Sequence, residues 1–349
     1  AVHSVQGELS FAAWHRLAVS LTQRLAAQFG DLSGERIALW LTNDEAITHV
    51  AAVQAVLNVG GMVVSLDDRH TVNEAQRIFS EAEPRVLMLG FQVAERLGDQ
   101  GLAELNCPDR GGMAGPWDAV IVPLNPKGMT ATPEPWRADS TSAVSWDRMV
   151  ATLDDYALIA YTSGSTGAPK GAVWTQSAIC QYAERVANAT YAVPRGGQAL
   201  CASDVLHSPI PVYTAASLIE NIYPALYAGC PLVFEGRRFD PEQSLLRMAR
   251  FGTTVYNGGP PHYAMMCAVE QGQQTPAVQL LVSGGSAITA DLYRRMCKRW
   301  PQAAIANWYG LNESGTGQTV NHGADLARHP TAIGRPLPPT ELRVVDDSG

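Results

Sequence analysis

The residues best suited to chemistry lie in one glycine-rich segment near the middle of the chain. Thr162-Ser-Gly-Ser-Thr-Gly-Ala-Pro-Lys-Gly171 combines three glycines, four hydroxyl side chains and one lysine, directly after a predicted strand. Glycines let backbone N–H groups approach an anion, the hydroxyls add donors, and Lys170 supplies a positive charge. This composition predicts a loop that holds a polyphosphate.

The segment differs from the commonest phosphate-binding loop, so other interpretations must be weighed. In that loop a lysine directly follows the second glycine and a hydroxyl residue follows the lysine, whereas Lys170 lies between Pro169 and Gly171. A generic loop of this composition is more often a solvated turn with a chance lysine. A hydrolase using Ser165 or Ser286 with one of the eight histidines would lack a G-x-S-x-G elbow and would leave the lysine unexplained.

Taken together, the ten residues resemble the phosphate-binding signature of the adenylate-forming superfamily, which includes acyl- and aryl-CoA synthetases, peptide-synthetase adenylation domains and luciferases. With so many positions specified, chance is a poor explanation. Other segments resemble further motifs of this superfamily, in its order and over essentially the whole chain: Leu9-Ser-Phe-Ala-Ala-Trp14, Leu57-Asn-Val-Gly-Gly-Met-Val-Val-Ser-Leu-Asp67, Val282-Ser-Gly-Gly-Ser286, Asn307-Trp-Tyr-Gly-Leu-Asn-Glu313 and Gly334-Arg-Pro-Leu-Pro338.

The resemblance implies a site for ATP and Mg²⁺. The residues it assigns to the phosphates are Thr162, Ser163, Gly164, Ser165, Thr166, Gly167 and Lys170. The residues it assigns to the remainder of the nucleotide are Gly284, Gly285, Ser286, Asn307, Trp308, Tyr309 and Gly310. Asn307 would hydrogen-bond the adenine edge, and Tyr309 would stack on its ring. Glu313 would hold Mg²⁺, and the catalytic residues would be Thr166, Lys170 and Glu313.

One nucleotide position departs from the family pattern. Asn312 stands where the pattern has threonine before the glutamate, and its amide can donate to an α-phosphate oxygen through a longer, planar group. The resemblance therefore still implies a contact from Asn312. The departure also keeps open a non-catalytic protein that binds nucleotide or a carrier protein.

A second group of residues bears on which acid would be the substrate. In relatives that activate amino acids, an aspartate pairs with the substrate ammonium, because a buried charge must be matched; alignment puts Ala216 at that position. The resemblance therefore implies an aliphatic or aryl carboxylic acid rather than an α-amino acid. Its pocket would include Tyr213, Ala216, Asn257, Gly258, Gly284 and Trp308. His207 is interpreted as an ordinary loop or core histidine.

The implied reaction forms an acyl-adenylate and releases pyrophosphate, after which a thiol captures the acyl group. The thiol would belong to coenzyme A or to the phosphopantetheine arm of an acyl carrier protein. The family's later motifs, including a catalytic lysine in a C-terminal domain, do not occur in these residues. We therefore expect an N-terminal domain that binds ATP or an acyl-adenylate, adenylates slowly and does not transfer to a thiol.

Alternating helices and strands are predicted to position these motifs. Apolar residues at helical spacing predict helices at 10–29, 45–59, 72–81, 176–189, 215–226, 241–250 and 289–299. Short apolar runs predict strands at 36–41, 62–66, 85–89, 156–161, 231–234, 253–256, 279–282 and 303–308. Such alternation favours parallel sheets with helical crossovers, which bind ligands beyond the carboxyl ends of their strands.

The predicted fold class is α/β, with two doubly wound, mostly parallel sheets and their helices packed together, plus a smaller β-rich subdomain. A segment rich in proline, glycine, aspartate and serine at about 106–152 is interpreted as a connection. The predicted divisions are a first α/β subdomain with this segment at 1–152, a second with the nucleotide-binding loops at 153–325, and the start of the β subdomain at 326–349.

Bulk composition excludes several kinds of protein. A net charge of -8 with no basic run offers no footprint for nucleic acid or an anionic membrane. Six scattered cysteines without a C-x-x-C pair suggest neither a zinc site nor a disulfide framework, so they are expected to be reduced and mostly buried. No apolar stretch is long enough to span a membrane. A cytoplasmic enzyme is the expectation.

Overall fold

The computed structural model describes residues 1–105, 118–121, 152–162, 170–270 and 274–346, which form two compact units. The first unit comprises residues 1–179 and 211–215, and the second comprises residues 180–210 and 216–349.

The first unit contains a six-stranded sheet and a short hairpin. The hairpin pairs β1 (Val2–Ser4) with β2 (Gly7–Leu9). The sheet strands in chain order are β3 (Arg36–Trp40), β4 (Met62–Ser65), β5 (Val86–Leu89), β6 (Asp118–Ile121), β7 (Tyr156–Thr162) and β8 (Lys170–Thr175). Their spatial order is β6-β5-β3-β4-β7-β8, and all neighbours are parallel except β7 and β8.

Helices connect these strands. They are α1 (Phe11–Phe29), α2 (Ala46–Asn58), α3 (Val72–Ala82) and α4 (Phe91–Leu105), and a 3-10 turn at Asn43–Glu45 precedes α2. Local chemistry sets their starts: the Ser10 hydroxyl accepts from the Ala13 N–H at the N-cap of α1, and Thr71 with Glu74 forms a capping box for α3. Each cap satisfies backbone donors that the first helical turn leaves open.

The second unit contains the longer sheet. Its strands are β9 (Leu206–Ser208), β10 (Leu232–Phe234), β11 (Val255–Gly258), β12 (Leu280–Ser283), β13 (Ala304–Leu311), β14 (Gly315–His322) and β15 (Arg335–Pro336). Their order is β15-β14-β13-β12-β11-β9-β10. The five strands from β9 to β13 are parallel to their neighbours, whereas β14 and β15 are antiparallel.

The remaining helices are α5 (Gln176–Arg185), α6 (Tyr223–Ala228), α7 (Pro241–Phe251), α8 (Pro260–Ala268), α9 (Ala290–Arg299) and α10 (Gly323–Arg328). Two segments widen into π-helix, at Val186–Thr190 and at Ser217–Ile222, and a 3-10 turn occupies Val193–Arg195. The second unit packs a core between α7, α8, α9 and the sheet around Tyr256, Tyr263 and Trp300.

The chain divides differently from the boundaries expected at residues 152 and 326. Strand β7 pairs in parallel with β4, with Val63 opposite Leu158, so it completes the first sheet instead of opening the second unit. Strand β15 pairs with β14 and so extends the second sheet. Within the expected connection, residues 118–121 form β6; the rest of 106–151 lies outside the described residues.

Two composition-based expectations can also be compared with the structure. All five described cysteines are free thiols, but only Cys230 is fully buried and Cys180 is exposed, so the expectation of mostly buried thiols was wrong. Across the residues that the structure describes, no helix combines the length and the apolarity needed to cross a membrane.

Candidate functional site

Strands β11 and β12 of the second unit end side by side, next to the point where β13 stops pairing with β12, and this brings several predicted residues together. Gly258 on β11 lies opposite Ser283 on β12, and Ser283 lies opposite Asn307 on β13. The Gly284 N–H also donates to the Gly258 carbonyl at 3.1 Å. The carboxyl edge of a parallel sheet is where α/β proteins bind ligands, so these residues occupy the expected place for a site.

Polar atoms at this edge are buried without partners. The Ser283 hydroxyl, the Asn307 amide oxygen and the Trp308 indole N–H each lack a hydrogen-bond partner within the described part of the chain. Asn307 is 4% exposed and Trp308 is 3% exposed. Buried polar groups are ordinarily paired, so unpaired groups where the pairing of β12 with β13 ends indicate a place where a ligand supplies the missing partners.

The residues expected on a loop after Trp308 lie on a β-hairpin instead. Strand β13 continues to Leu311 and returns as β14, with Tyr309 opposite Thr319. Side chains alternate along a strand, so Asn307 and Tyr309 share one face while Trp308 faces the other way. Tyr309 is 38% exposed, and its ring is therefore accessible for stacking.

The turn of this hairpin carries the predicted phosphate and metal contacts. Gly310 and Asn312 are half-buried, and Glu313 is exposed. No group of three or more His, Cys, Asp or Glu side chains is arranged to hold a metal ion among residues 1–105, 118–121, 152–162, 170–270 and 274–346. A Mg²⁺ ion bound to a nucleotide needs few protein ligands, because phosphate oxygens and water supply the others. Glu313 is an exposed carboxylate that could be such a ligand.

The Val282–Ser286 region is open at its end. Gly284 is half-buried, whereas Gly285 and Ser286 are exposed. Gly285 has φ of +79°, a left-handed backbone conformation that residues other than glycine rarely adopt. The sequence prediction that this segment borders a ligand is compatible with an exposed turn directly after β12.

The phosphate-loop prediction falls mostly outside the described residues. Ser163, Gly164, Ser165, Thr166 and Gly167 all lie in the interval 163–169, which the structure does not describe. On either side, the backbones of Thr162 and Lys170 are paired, and Lys170 opens β8 with its side chain exposed. Strand β8 therefore lies between the loop and α5. The sequence predicted a helix from residue 176, where α5 begins, but it did not predict this strand.

Two predicted pocket residues have specific surroundings. The Tyr213 hydroxyl donates to Asp67 at 3.1 Å and to Asp68 at 3.3 Å, all within the first unit. Burial, followed by these carboxylates, raises the pKa of Tyr213. Its hydroxyl is thus tied into the first unit; the role in an acyl pocket stays a prediction. Ala216 is half-buried and directly precedes the π-helical segment Ser217–Ile222.

Sequence reasoning missed a buried carboxylate beside Asn257. The Asn257 side-chain amide donates to Glu220 at 3.0 Å and to the Asn221 side chain at 2.9 Å. The Tyr191 hydroxyl donates to the Glu220 backbone carbonyl at 2.9 Å. Glu220 is 6% exposed, and burial raises its pKa to about 7. The alignment found no carboxylate at position 216. The structure nevertheless places one in the interior four residues later, at Glu220.

The one signal for this residue in the sequence is an acid among apolar neighbours, in Ser217-Leu-Ile-Glu-Asn-Ile222. A regular α-helix was predicted there, and helical periodicity cannot specify the wider π-helical turn that occurs.

His207, by contrast, is a core residue, as the sequence interpretation expected. It is fully buried on β9, with one ring nitrogen 2.8 Å from Glu235 and the other 3.2 Å from the Thr253 hydroxyl. Glu235 also pairs with Arg247 at 2.6 Å. The ring is thereby occupied on both nitrogens.

Known proteins resemble this chain in sequence and in architecture. The sequence model of the AMP-binding enzyme family matches residues 1–349. The mitochondrial malonate–CoA ligase ACSF3 of Mus musculus is 23% identical over 351 residues, which cover 95% of this chain and 54% of that protein. This chain thus spans about half the length of that relative.

Two solved structures show the same fold. A benzoate CoA ligase from Burkholderia xenovorans LB400 superposes with a TM-score of 0.79 at 17% identity, over 100% of this chain and 65% of its own. ATP-bound MatB from Rhodopseudomonas palustris superposes with a TM-score of 0.75 at 23% identity, over 97% of this chain and 61% of its own. The predicted α/β class with mostly parallel sheets is thereby confirmed.

Proposed function

The chain belongs to the AMP-binding enzyme family, and we propose that it binds ATP and activates a carboxylic acid as an acyl-adenylate. The observation that carries the proposal is the two unpaired buried groups of Ser283 on β12 and Asn307 on β13, which lie opposite each other, beside the exposed ring of Tyr309. A purine supplies both hydrogen-bonding edges and a flat face, which match an amide and an aromatic ring on one face of β13.

Individual roles follow from residue chemistry. Tyr309 stacks on the adenine, and Asn307 completes the hydrogen bonding of its buried amide oxygen by accepting from the exocyclic amine. Glu313 supplies one carboxylate for Mg²⁺, whose remaining ligands are phosphate oxygens and water. Thr162, Ser163, Thr166 and Lys170 bind the phosphates, and Asn312 donates to the α-phosphate.

The proposed reaction is an in-line displacement. A carboxylate oxygen of the acid forms a bond to the α-phosphorus while the bond to pyrophosphate breaks, and the electron pair leaves with the pyrophosphate. Catalysis rests on positioning the two reactants and on neutralising the charge that develops on the phosphates. Lys170 contributes a positive charge, and Glu313 would hold a Mg²⁺ ion, which would supply Lewis-acid stabilisation.

The acid is proposed to be aliphatic or aryl rather than an α-amino acid, since Ala216 replaces the family's ammonium-binding aspartate. The names of two similar proteins include one acid of each class: malonate is aliphatic and benzoate is aryl. Transfer of the acyl group to coenzyme A or to a carrier-protein phosphopantetheine arm is a proposal for the whole enzyme, as are the cytoplasmic location and a carrier-protein partner.

Exchange of labelled pyrophosphate into ATP tests the proposal. The 349-residue chain is assayed with a panel of aliphatic and aryl acids, alongside Lys170→Ala and a matched control, Lys298→Ala, whose lysine is exposed on α9. We expect acid-dependent exchange that Lys170→Ala reduces by about tenfold or more and Lys298→Ala preserves. ATP binding without exchange for any acid would instead support a nucleotide-binding protein that performs no activation.

A further inference from the structure

We propose that Glu220 and Asn257 form a donor-recognition pair, which selects a carboxylic acid carrying an amino or hydroxyl group on its acyl part. The inference rests on the proposed acid activation and names the substrate class of that site. It assigns a specificity role to Glu220, which lies outside every motif recognised in the sequence.

The first argument is position. Asn257 is the next-to-last residue of β11, directly before Gly258, which lies in register with Ser283 and, through it, with Asn307. The Glu220 carboxylate is 3.0 Å from the Asn257 amide nitrogen. Glu220 is therefore one side chain away from the strand edge that carries the proposed nucleotide residues.

The second argument is the missing countercharge. Among the described residues of the second unit, two other carboxylates are buried, and each has an arginine: Asp204 pairs with Arg195 at 2.9 Å, and Glu235 pairs with Arg247 at 2.6 Å. Glu220 has neither an ion pair nor any side-chain hydrogen bond except that from Asn257, as far as the described residues extend. A carboxylate offers roughly four lone-pair positions, so most of its hydrogen-bonding capacity is unused.

This arrangement is costly for the protein alone. An isolated buried carboxyl group is disfavoured unless it is paired or protonated, and burial accordingly raises the pKa of Glu220 to about 7. Either protonation state can accept a hydrogen bond from an N–H or O–H group. A ligand donor at this place would therefore satisfy a group that the fold leaves mostly unsatisfied.

A third, independent argument comes from polar atoms around Tyr191, whose hydroxyl donates a hydrogen bond to the backbone carbonyl of Glu220. Its ring meets that of Trp308 edge-on, with centroids 4.9 Å apart, and the Trp308 indole N–H has no described partner. The hydroxyl of the adjacent Thr190 is also buried and unpaired in the described structure. Unpaired groups on two neighbours of one tyrosine point to a polar ligand group here.

Gly317 lies close to both of these neighbours. A Cβ at this position would lie 2.8 Å from Thr190 and 3.5 Å from Trp308, and its φ of +66° favours glycine. The close approach of β14 at Gly317 thus places the backbone of this strand against both Thr190 and Trp308.

Matched acyl-adenylate mimics test the pair. The probes are acyl-sulfamoyl-adenosines in two series: benzoyl with its 2-, 3- and 4-amino and hydroxy forms, and butanoyl with its 4-amino and 4-hydroxy forms. Dissociation constants are measured calorimetrically for the wild-type chain, Glu220→Leu, Glu220→Met and the control Glu242→Gln, whose glutamate is exposed on α7. Thermal unfolding and ATP binding report on the integrity of each variant.

We expect wild type to bind at least one donor-bearing probe about tenfold or more tightly than its unsubstituted parent, as a hydrogen bond to a charged acceptor allows. Glu220→Leu should lose that ratio, and Glu242→Gln should keep both the ratio and the affinity for the parent. Glu220→Met keeps about the size of the side chain but has only a weak acceptor sulfur, so it gives the same comparison if the leucine variant unfolds.

Other outcomes separate two failures. If no probe of either series binds, the proposed acid activation is wrong. If the probes bind but amino and hydroxy forms bind no better than their parents, or if the preference survives in both Glu220 variants, the donor-recognition pair is wrong and Glu220 is only part of a core network.

Discussion

At the scale of single residues, the position of an unpaired buried group separates function from packing. Asn307 and Ser283 form the last pair between β13 and β12 and leave polar atoms unpaired there. His49 is also fully buried, and both of its ring nitrogens are unpaired among the described residues, but it lies within the interior helix α2. A ligand can reach the first two from the edge of the sheet, whereas His49 only lowers stability.

The ring of Tyr309 is expected to contribute to ATP binding by stacking. Tyr309→Ala should weaken ATP binding about tenfold, because base–aromatic stacking is worth roughly 1–3 kcal/mol, whereas Tyr309→Phe should stay within about threefold of wild type. Calorimetric titration with ATP and Mg²⁺ measures both. Tyr227→Ala, at another exposed tyrosine of the same unit, is the control. Equal losses in the alanine and phenylalanine variants would implicate the hydroxyl and exclude simple stacking.

His49→Leu is expected to stabilise the protein. Replacing two unpaired polar nitrogens with an apolar side chain of similar size removes a desolvation cost of about 1–3 kcal/mol. Urea unfolding monitored by tryptophan fluorescence at about pH 7 measures the change. A less stable variant would show that the ring packs better than leucine or that it has a partner.

At the scale of elements, the β13–β14 hairpin positions the residues that are proposed to bind the nucleotide. Its turn is held by Gly315, which has φ of +81° and faces the ring of Tyr182, so that a Cβ here would lie 2.4 Å from a ring carbon. The hairpin and Tyr182 both belong to the second unit. The placement of Asn312 and Glu313 therefore depends on the close approach of a glycine to an aromatic ring.

Gly315→Ala should destabilise the protein by about 2 kcal/mol or more and weaken ATP binding, because a left-handed alanine is strained and its methyl group meets Tyr182. Gly323→Ala is the matched control: its φ is +57°, but a Cβ there meets nothing within 4 Å. The control should lose only about 1 kcal/mol and bind ATP normally. Equal effects of the two substitutions on ATP binding would contradict a role for the Tyr182 contact.

Elements with strong periodicity were predictable, and those defined by pairing were not. Helices α3 and α9 were predicted within one or two residues because caps at Thr71 and Thr289 precede amphipathic patterns. Strand β14 was missed because Ser314-Gly-Thr-Gly-Gln318 has the composition of a loop. Its backbone is a strand only because β13 provides the partner.

The candidate site divides in the same way. The motif around Asn307 and Tyr309 was predicted from local sequence, and the register of three strands brings Asn307 beside Ser283. Glu220 could not be found, because its importance depends on Asn257, which is 37 positions away in the sequence. Contacts of such separation leave no periodic signal in a single sequence.

At the scale of the whole molecule, two buried titratable groups impose opposite pH dependences on stability. His49 belongs to the first unit and Glu220 to the second. Burial lowers the pKa of His49 to about 3 and raises that of Glu220 to about 7. Each shift means that the folded and unfolded states bind different numbers of protons over part of the pH range.

The signs differ for the two residues. Below about pH 6.5 an unfolded histidine takes up a proton that folded His49 refuses, so stability falls as pH is lowered towards 3. Above about pH 4.5 an unfolded glutamate loses a proton that folded Glu220 keeps, so stability falls as pH is raised towards 7 and the loss is complete above it. Both effects act between about pH 4.5 and 6.5, where they oppose each other.

Urea unfolding of wild type, His49→Leu, Glu220→Gln and the double variant at several pH values between about 5 and 8 resolves the two contributions. Relative to wild type, His49→Leu should gain stability as pH falls, whereas Glu220→Gln should gain it as pH rises, by up to about 3 kcal/mol near neutrality. The double variant should show the sum of the two changes, because the residues belong to different compact units and share no partner. If the difference between Glu220→Gln and wild type were constant with pH, Glu220 would titrate normally, and the balance between its neutral and ionised forms near pH 7 would not exist.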